Sequence, residues 1–205
     1  MKTNTWVVKL GGSLIGSPTL PLWISALSRT RTLIVPGGGP FADLVRNTQK
    51  EVGFNDAIAH PMAILGMAQF GYLLHGFPPY LPLQSELALP HPSPEGVQSR
   101  IWYPDLSLLL SSPLAHSWNV TSDTIAAWLA TQVGARDVLL VKSVELPLGP
   151  RGTDDLASRG IIDPGISELM CHSELRVWTT GPLPPKNLEK ALADPETYLT
   201  QVVPS

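Results

Sequence analysis

The sequence predicts an α/β domain with a largely parallel sheet. Short runs of β-branched and aliphatic residues alternate with longer amphipathic segments, which is the pattern of strands joined by helices. Two of the apolar runs end in glycine turns, and open parallel sheets bind ligands at such strand ends. The chain has 205 residues, of which 43% are hydrophobic, so it is long enough for one large domain with a substantial core.

In the N-terminal half, two predicted strands each lead into a glycine turn. The expected elements are a strand at 5–10, a strand with its following glycine turn at 32–40, and helices at 20–29, 41–53 and 56–74. Asp56 is the expected N-cap of the last helix. That helix is apolar on nearly all sides, so we expect it to be buried against the sheet or against a second subunit, and a homo-oligomer follows from this.

A proline-rich connection precedes the C-terminal half. Residues 77–96 hold six of the 21 prolines, which excludes a regular helix or a central strand there. Beyond it we expect strands at 99–104, 106–110, 137–145, 175–181 and 196–203, and helices at 121–135 and 185–194. The polar segment 152–160, bounded by glycines, is either a mobile flap over a nucleotide or a solvated loop.

Composition and charge exclude several classes of partner. A net charge of -3 and a pI of about 5.9 leave no basic surface for nucleic acid. The single cysteine, Cys171, rules out an internal disulfide and a multi-cysteine zinc site, and the histidines are too scattered to hold a metal. The longest apolar segment, 61–76, is too short and too interrupted to span a bilayer. We therefore expect a cytoplasmic protein without a membrane partner.

The two glycine turns are candidate phosphate sites. Lys9 is followed by Gly11, Gly12 and Ser13, a motif that taken alone is more typical of an ordinary tight turn than of a phosphate site. The second turn, Gly37–Gly39, stands between a strand and a helix, where uncovered N–H groups and the helix dipole favour an anion. In a parallel sheet both turns lie at strand carboxyl ends, so Lys9 and both turns can converge on one polyphosphate.

A polar cluster precedes the predicted helix at 121–135. Thr121 or Ser122 suffices to cap that helix, which leaves Asn119 and Asp123 for other roles. Asp123, in the first turn, either contributes to capping or orients lysine ammonium groups beside a phosphate. His60 either packs within its helix or contacts a substrate.

Taken together, four segments resemble the amino acid kinase superfamily: "VVKLGGSL", "VPGGGPFADLVR", "NVTSDTIAAWLA" and "LLVKSVE", in this order. The resemblance implies a three-layer αβα sandwich around a mainly parallel sheet, with one domain over residues 1–205. It also implies an acceptor-binding lobe at about 1–135, a nucleotide-binding lobe at about 136–205, and ATP with Mg²⁺ as the phosphoryl donor.

Within the superfamily, "GGGPFADLVR" followed by the apolar helix is most similar to the small kinases of methanofuran biosynthesis, a part of one-carbon metabolism. Those kinases phosphorylate an aminomethylfuran-methanol phosphate. This resemblance implies a phosphate monoester as the small-molecule acceptor. Isopentenyl phosphate, UMP or an amino acid are alternative acceptors, and a non-catalytic nucleotide- or anion-binding protein of the same fold is the alternative function.

The resemblance also implies roles for individual residues. Lys9 would stabilise the transferred phosphoryl group, and Asp123 would organise the lysines. The ATP phosphates would be held by Gly11, Gly12, Ser13, Lys142 and Ser143, and the acceptor by Gly37, Gly38, Gly39 and Asn119. The family's "DVDG"-like turn is "SVEL" at 143–146, which is a departure on the nucleotide side.

Overall fold

The computed structural model describes residues 5–90 and 99–205, and one sheet forms its centre. The strands of the sheet are β1 Trp6–Leu10, β2 Thr32–Pro36, β3 Leu83–Gln84, β4 Arg100–Trp102, β5 Asp137–Val141, β6 Arg151–Gly152, β7 Arg176–Thr180 and β8 Thr200–Val203. Their order is β3-β4-β2-β1-β5-β7-β8-β6. Every neighbouring pair is parallel except β7 and β8. The expected mainly parallel sheet is therefore confirmed.

Helices cover both faces of this sheet. They are α1 Leu20–Leu27, α2 Gly39–Val52, α3 Asp56–His75, α4 Leu106–Leu110, α5 Ser122–Val133, α6 Thr153–Ser158, α7 Ile166–Cys171, α8 Leu188–Ala193 and α9 Pro195–Tyr198. Two separate apolar cores lie between helices and sheet: α5, α6 and α7 pack on one face, and α1 and α8 pack on the other. This arrangement is the predicted three-layer αβα sandwich.

Alternation along the strands divides the side chains between the two cores. In β1, Val7 faces the α5 side, whereas Trp6 and Val8 face the α1 side. In the register of the sheet, Leu10 lies opposite both Pro36 and Val141. The segments that follow β1, β2 and β5 therefore meet at one edge of the sheet.

Three local predictions are corrected by the structure. The segment 106–110 forms the helix α4 instead of a strand, because the Asp105 carboxylate accepts a hydrogen bond from the Leu108 N–H and starts a helical turn. The segment 152–160 is neither flap nor loop: it contains the whole of α6, which is anchored by the fully buried Leu156. Asn55, and not Asp56, caps α3.

Two helical segments were missing from the prediction, α7 and the short α9 before β8. The other predicted strands and helices are present, and their ends differ from the predicted ones by at most four residues. Within the proline-rich connection, β3 forms the edge of the sheet, as expected for such a sequence. The rest of that prediction, from 91 to 96, lies outside the described residues.

The long helix α3 is only partly buried. Phe70 and Leu74 lie in the core, whereas Ile58, Leu65 and Tyr72 are each about half exposed. In the described part of the chain, α3 is the one helix long and apolar enough to cross a membrane, and half of that segment is buried inside the fold. A core helix of a globular domain can have the same length, hydropathy and partial burial.

Candidate active site

A buried lysine–aspartate cluster (Lys9, Asp123 and Lys142) lies where β1 and β5 end. Lys9 is two residues after Val7, so it points to the face that α5 covers. Lys142 follows Leu140 by the same two-residue step and points the same way. Asp123 occupies the first turn of α5, between the two ammonium groups.

The carboxylate of Asp123 bridges the two lysines. Its Oδ1 lies 2.9 Å from Lys9 Nζ, and its Oδ2 accepts a short hydrogen bond from Lys142 Nζ. All three residues are less than a tenth exposed. When all three are ionised the cluster carries a net charge of +1, so it retains attraction for an anion beside it.

Burial and charge act on the cluster in opposite directions. Burial alone raises the pKa of Asp123, but the two neighbouring lysines outweigh it and lower that pKa to about 2. Burial also lowers the pKa of Lys142, and Lys9 adds to this effect while Asp123 opposes it. Asp123 is thus firmly anionic at neutral pH, and Lys142 gives up its proton more readily than an ordinary lysine.

The two glycine turns touch each other in front of this cluster. Gly12 begins a short 3₁₀ helix after β1, and an added Cβ on it would overlap the backbone nitrogen of Gly39. Gly39 has φ +52°, a conformation that glycine adopts without strain. An added Cβ on Gly37 would lie 3.0 Å from the Leu10 carbonyl oxygen. These glycines allow two backbones to approach more closely than any side chain permits.

A cavity of about 690 Å³ opens over the cluster and the turns. Most residues proposed from the sequence line it together: Lys9, Gly11, Gly12, Ser13, Gly38, Gly39, Asp123, Lys142 and Ser143. Gly37 does not line the cavity, because it is buried in the contact between the turns. Asn119 does not line it either: its side chain is exposed, and its carbonyl oxygen accepts a hydrogen bond from the Gly165 N–H.

One wall of the cavity is built from α2 and from the loop before α5. The guanidinium of Arg46 lies 4.2 Å from the centre of the Trp118 ring. The Trp118 indole donates to Gln49 Oε1 at 2.6 Å, and Gln49 Nε2 donates to Asp56 Oδ1 at 2.8 Å. These two hydrogen bonds fix the Asp56 carboxylate at the cavity wall, and no described residue bonds its other oxygen. The sequence did not predict this pair of hydrogen bonds.

His60 is also part of this wall, one helical turn after Asp56. Its ring is 6% exposed and stacks on the His116 ring with centroids 4.9 Å apart. Burial lowers the pKa of His60, and His116 lowers it further, while Asp56 raises it. His60 is therefore mainly neutral at pH 7 and can accept a hydrogen bond. Both predicted roles stay open, because His60 packs on His116 and also belongs to the cavity lining.

A further part of the wall comes from residues 157–164, which run from the end of α6 to just before α7. Ala157, Arg159, Gly160 and Ile161 line the cavity, as does Ser143. The altered "SVEL" turn is close by: an added Cβ on Gly181 would collide with the Glu145 carboxylate. Glu145 therefore lies over the end of β7, where the family pattern has an aspartate-glycine turn.

The chemistry of this cavity fits a polyphosphate. The helix α2 has no side-chain cap at Gly38, so its first N–H groups remain available to an anion. The lysine–aspartate cluster adds its net positive charge at the same place. In the described residues no three His, Cys, Asp or Glu side chains converge as a metal site.

Paired lysines and contacting glycine turns at the strand ends of an αβα sandwich form a site of the kind that binds phosphate groups. The chain belongs to the amino acid kinase family, whose family model matches residues 4–146. This assignment confirms the family that the sequence predicted.

Relatives of known name agree with the family. The chain is 27% identical over 150 residues to [5-(aminomethyl)furan-3-yl]methyl phosphate kinase from Methanocaldococcus jannaschii; the match covers 68% of this chain and 66% of the relative, just under two thirds of its length. In structure it is similar to uridylate kinase from Archaeoglobus fulgidus, with a TM-score of 0.65 and 16% identity over 97% of this chain and 99% of that one. It is also similar to aspartate kinase from Synechocystis, with a TM-score of 0.68 and 15% identity over 98% of this chain and 40% of that one. At such identities the structural likeness shows the fold.

Proposed function

We propose that this protein is an ATP-dependent kinase that transfers the γ-phosphoryl group of Mg·ATP to a small phosphate monoester. The observation that carries the proposal is the Asp123 carboxylate bridging Lys9 and Lys142 beside two contacting glycine turns. Phosphoryl transfer needs positioning and charge stabilisation more than covalent help from the protein. The cavity offers both.

In this proposal the two lysines act on the transferred group from the buried side. Lys9 and Lys142 stabilise the negative charge on the phosphoryl oxygens, and Asp123 keeps the two ammonium groups in place. Gly11, Gly12 and Ser13 hold the donor phosphates through N–H and hydroxyl groups. Mg²⁺ would enter as part of the nucleotide complex and neutralise charge on the β- and γ-phosphates.

A phosphate monoester suits this site because it needs no general base. Its second pKa is about 6, so the attacking oxygen is already largely ionised at pH 7. An alcohol acceptor would have to lose a proton during the reaction. Gly38 and Gly39, at the start of α2, would hold the acceptor phosphate, while Gly37 supports the turn; Asn119, outside the cavity lining, is left out of this proposal.

For the acceptor itself we propose an amine-bearing compound such as an aminomethylfuran-methanol phosphate. The Methanocaldococcus relative is named for that chemistry. The cavity wall of the present protein supports an amine-bearing acceptor. Gln49 fixes the Asp56 carboxylate there, and His60 beside it is buried and mainly neutral. A carboxylate and a neutral imidazole can together accept hydrogen bonds from an ammonium group. The pathway would then be methanofuran or methylofuran biosynthesis.

The proposal is tested by ADP release from Mg·ATP with a panel of acceptors: aminomethylfuran-methanol phosphate, isopentenyl phosphate, UMP, aspartate and acetylglutamate. We expect turnover on the first compound that the Lys9→Ala variant lacks. Turnover on another compound of the panel that depends on Lys9 would support the kinase function but show that the acceptor is that other compound. ATP binding without turnover on any of them would favour the nucleotide-binding alternative, and absence of ATP binding would overturn both.

We also propose that the enzyme is a cytoplasmic homodimer. On α3, Ile58, Met62, Leu65 and Tyr72 are exposed at spacings of four, three and seven residues, which is the pattern that packs two helices together. In gel filtration with light scattering we expect a dimer that Leu65→Glu converts to a monomer, whereas Leu183→Glu, on an equally exposed leucine elsewhere, leaves it unchanged. A monomeric wild-type protein would overturn this.

A further inference from the structure

A second carboxylate, Asp163, is bonded to the start of α5. It lies between α6 and α7 and accepts four hydrogen bonds from two threonines. Its Oδ2 accepts from the N–H groups of Thr121 and Thr124 at 2.8 and 3.0 Å and from the Thr124 hydroxyl at 3.0 Å. Its Oδ1 accepts from the Thr121 hydroxyl at 2.7 Å.

These bonds replace the expected cap of α5. Thr121 stands at the N-cap position, yet its side chain makes no capping bond, because its hydroxyl donates to Asp163 instead. The carboxylate of Asp163 thus satisfies N–H groups that a helix start leaves open. The two threonines flank Asp123, so Asp163 holds the backbone on both sides of the residue that bridges the lysines.

The same segment is packed tightly on α5. An added Cβ on Gly165 would lie 3.1 Å from the Thr124 side chain, and the Gly165 N–H donates to the Asn119 carbonyl at 3.1 Å. Asp163 itself lines the cavity, as do Arg159 and Gly160 before it. The contact between this segment and α5 therefore reaches into the site.

We propose that Asp163 is a positioning residue for phosphoryl transfer: its four hydrogen bonds hold the first turn of α5 so that the Asp123 carboxylate lies between Lys9 and Lys142. This inference rests on the proposed kinase function. The role is carried by the hydrogen bonds and not by the charge of Asp163. Burial, and then Asp123, raise the pKa of Asp163, while its threonine partners oppose the rise.

The test compares Asp163→Ala with Asp163→Asn. Asparagine can accept from the two backbone N–H groups and donate to the Thr121 hydroxyl, so it keeps the position and loses the charge. For Asp163→Ala we expect kcat to fall by about 10²-fold, the loss that a misplacement of about 1 Å can cause, with KM for ATP changed less. For Asp163→Asn we expect most of the wild-type kcat.

A second readout does not depend on catalysis. The groups that act on the Lys142 ammonium are Asp123, Lys9 and Asp163. If Asp123 moves away, Lys142 loses its nearest anion and its pKa falls further. Both variants lose the Asp163 charge, which itself raises the pKa of Lys142, so the NMR titration of ¹³Cε-labelled lysine, assigned with Lys142→Met, should shift to lower pH in both. The shift should be larger in Asp163→Ala, where Asp123 also moves away, than in Asp163→Asn.

The matched control is Asp105→Ala, which removes another carboxylate that caps a helix, α4, away from the cavity. It should lower stability without moving the Lys142 titration. If Asp163→Ala keeps its kcat, as Asp105→Ala should, and shifts the Lys142 titration no further than Asp163→Asn does, Asp163 has a structural role only and the inference is wrong. Should Asp163→Ala not fold, the Thr121→Val/Thr124→Val double variant removes two of the four bonds and serves the same test. If the wild-type protein is inactive but the Lys142 titration still shifts further in Asp163→Ala than in Asp163→Asn, the proposed kinase function is wrong, whereas the role of Asp163 in positioning Asp123 is supported.

Discussion

Gly12 and Gly39 lie in backbone contact, and this contact joins the turns that follow β1 and β2. A Cβ on Gly39 would lie 2.7 Å from the Gly12 carbonyl oxygen. The sequence places these two glycines 27 positions apart, and the register of β1 with β2 brings them together. The turns therefore form one surface of N–H groups rather than two separate loops.

The Gly12→Ala substitution should destabilise the protein, because its methyl group overlaps the Gly39 backbone. We expect a loss of about 3 kcal/mol in the free energy of unfolding, as for a severe backbone clash. Gly71→Ala, inside α3, is the control: its methyl group would lie at an ordinary 3.5 Å from the Pro36 side chain, and alanine favours a helix by about 1 kcal/mol. Urea denaturation measures both. Equal stabilities for the two variants would show that the turns do not touch.

Asp123→Asn should reduce both stability and turnover. It leaves the buried Lys9 and Lys142 ammonium groups side by side without their anion, which costs about 3–5 kcal/mol for a broken buried ion pair. Adding Lys142→Met removes one of the two charges and should recover part of the stability without restoring kcat. Denaturation and ADP release separate the two effects. A stable and active Asp123→Asn variant would exclude the bridging role.

The pH profile should reveal Lys142. Burial lowers the pKa of this lysine from 10.5, so its ammonium group is lost at a lower pH than in an exposed lysine. We expect kcat/KM to fall on the alkaline side with a midpoint below 10.5. In Lys142→Arg this fall should move to higher pH, since a guanidinium does not titrate in that range. If the alkaline fall of kcat/KM is unchanged in Lys142→Arg, the fall is caused by the titration of a group other than Lys142.

Asp56→Asn should discriminate between acceptors. For the aminomethyl acceptor we expect KM to rise by about 10-fold or more, the effect of a lost hydrogen bond to a charged group. For an analogue with a methyl group in place of the aminomethyl group, KM should change little. Glu51→Gln, which alters an exposed carboxylate outside the cavity lining, is the control. Equal changes for both acceptors would mean that Asp56 does not contact the amine.

The parts of the site that the sequence predicted are those encoded by neighbouring residues. A lysine at a strand end and glycines directly after it are visible in "VVKLGGSL", and their position follows once the sheet is parallel. Asp123 was found in the same way, from a polar group at the start of an apolar helix. The resemblance to a known family then supplied their roles.

The parts that were missed depend on contacts between distant segments. Asp163 is bonded to Thr124 across 39 positions, and nothing around "IIDPG" indicates that partner. The prediction of a strand at 106–110 was wrong because "LSLLL" fits the two-residue repeat of a strand and the 3.6-residue repeat of a helix equally well. The N-cap Asp105 stabilises the helix. The hydrogen bonds that connect Trp118 to Asp56 through Gln49 likewise correspond to no pattern in the sequence.

The most direct measurement is the Lys9-dependent transfer of the γ-phosphoryl group of Mg·ATP to aminomethylfuran-methanol phosphate, followed by ³¹P NMR of the product. Wild-type protein should form a diphosphate, and Lys9→Ala should form it at least about 10²-fold more slowly while remaining folded. Turnover by Lys9→Ala at the wild-type rate would remove the lysine–aspartate cluster from the mechanism.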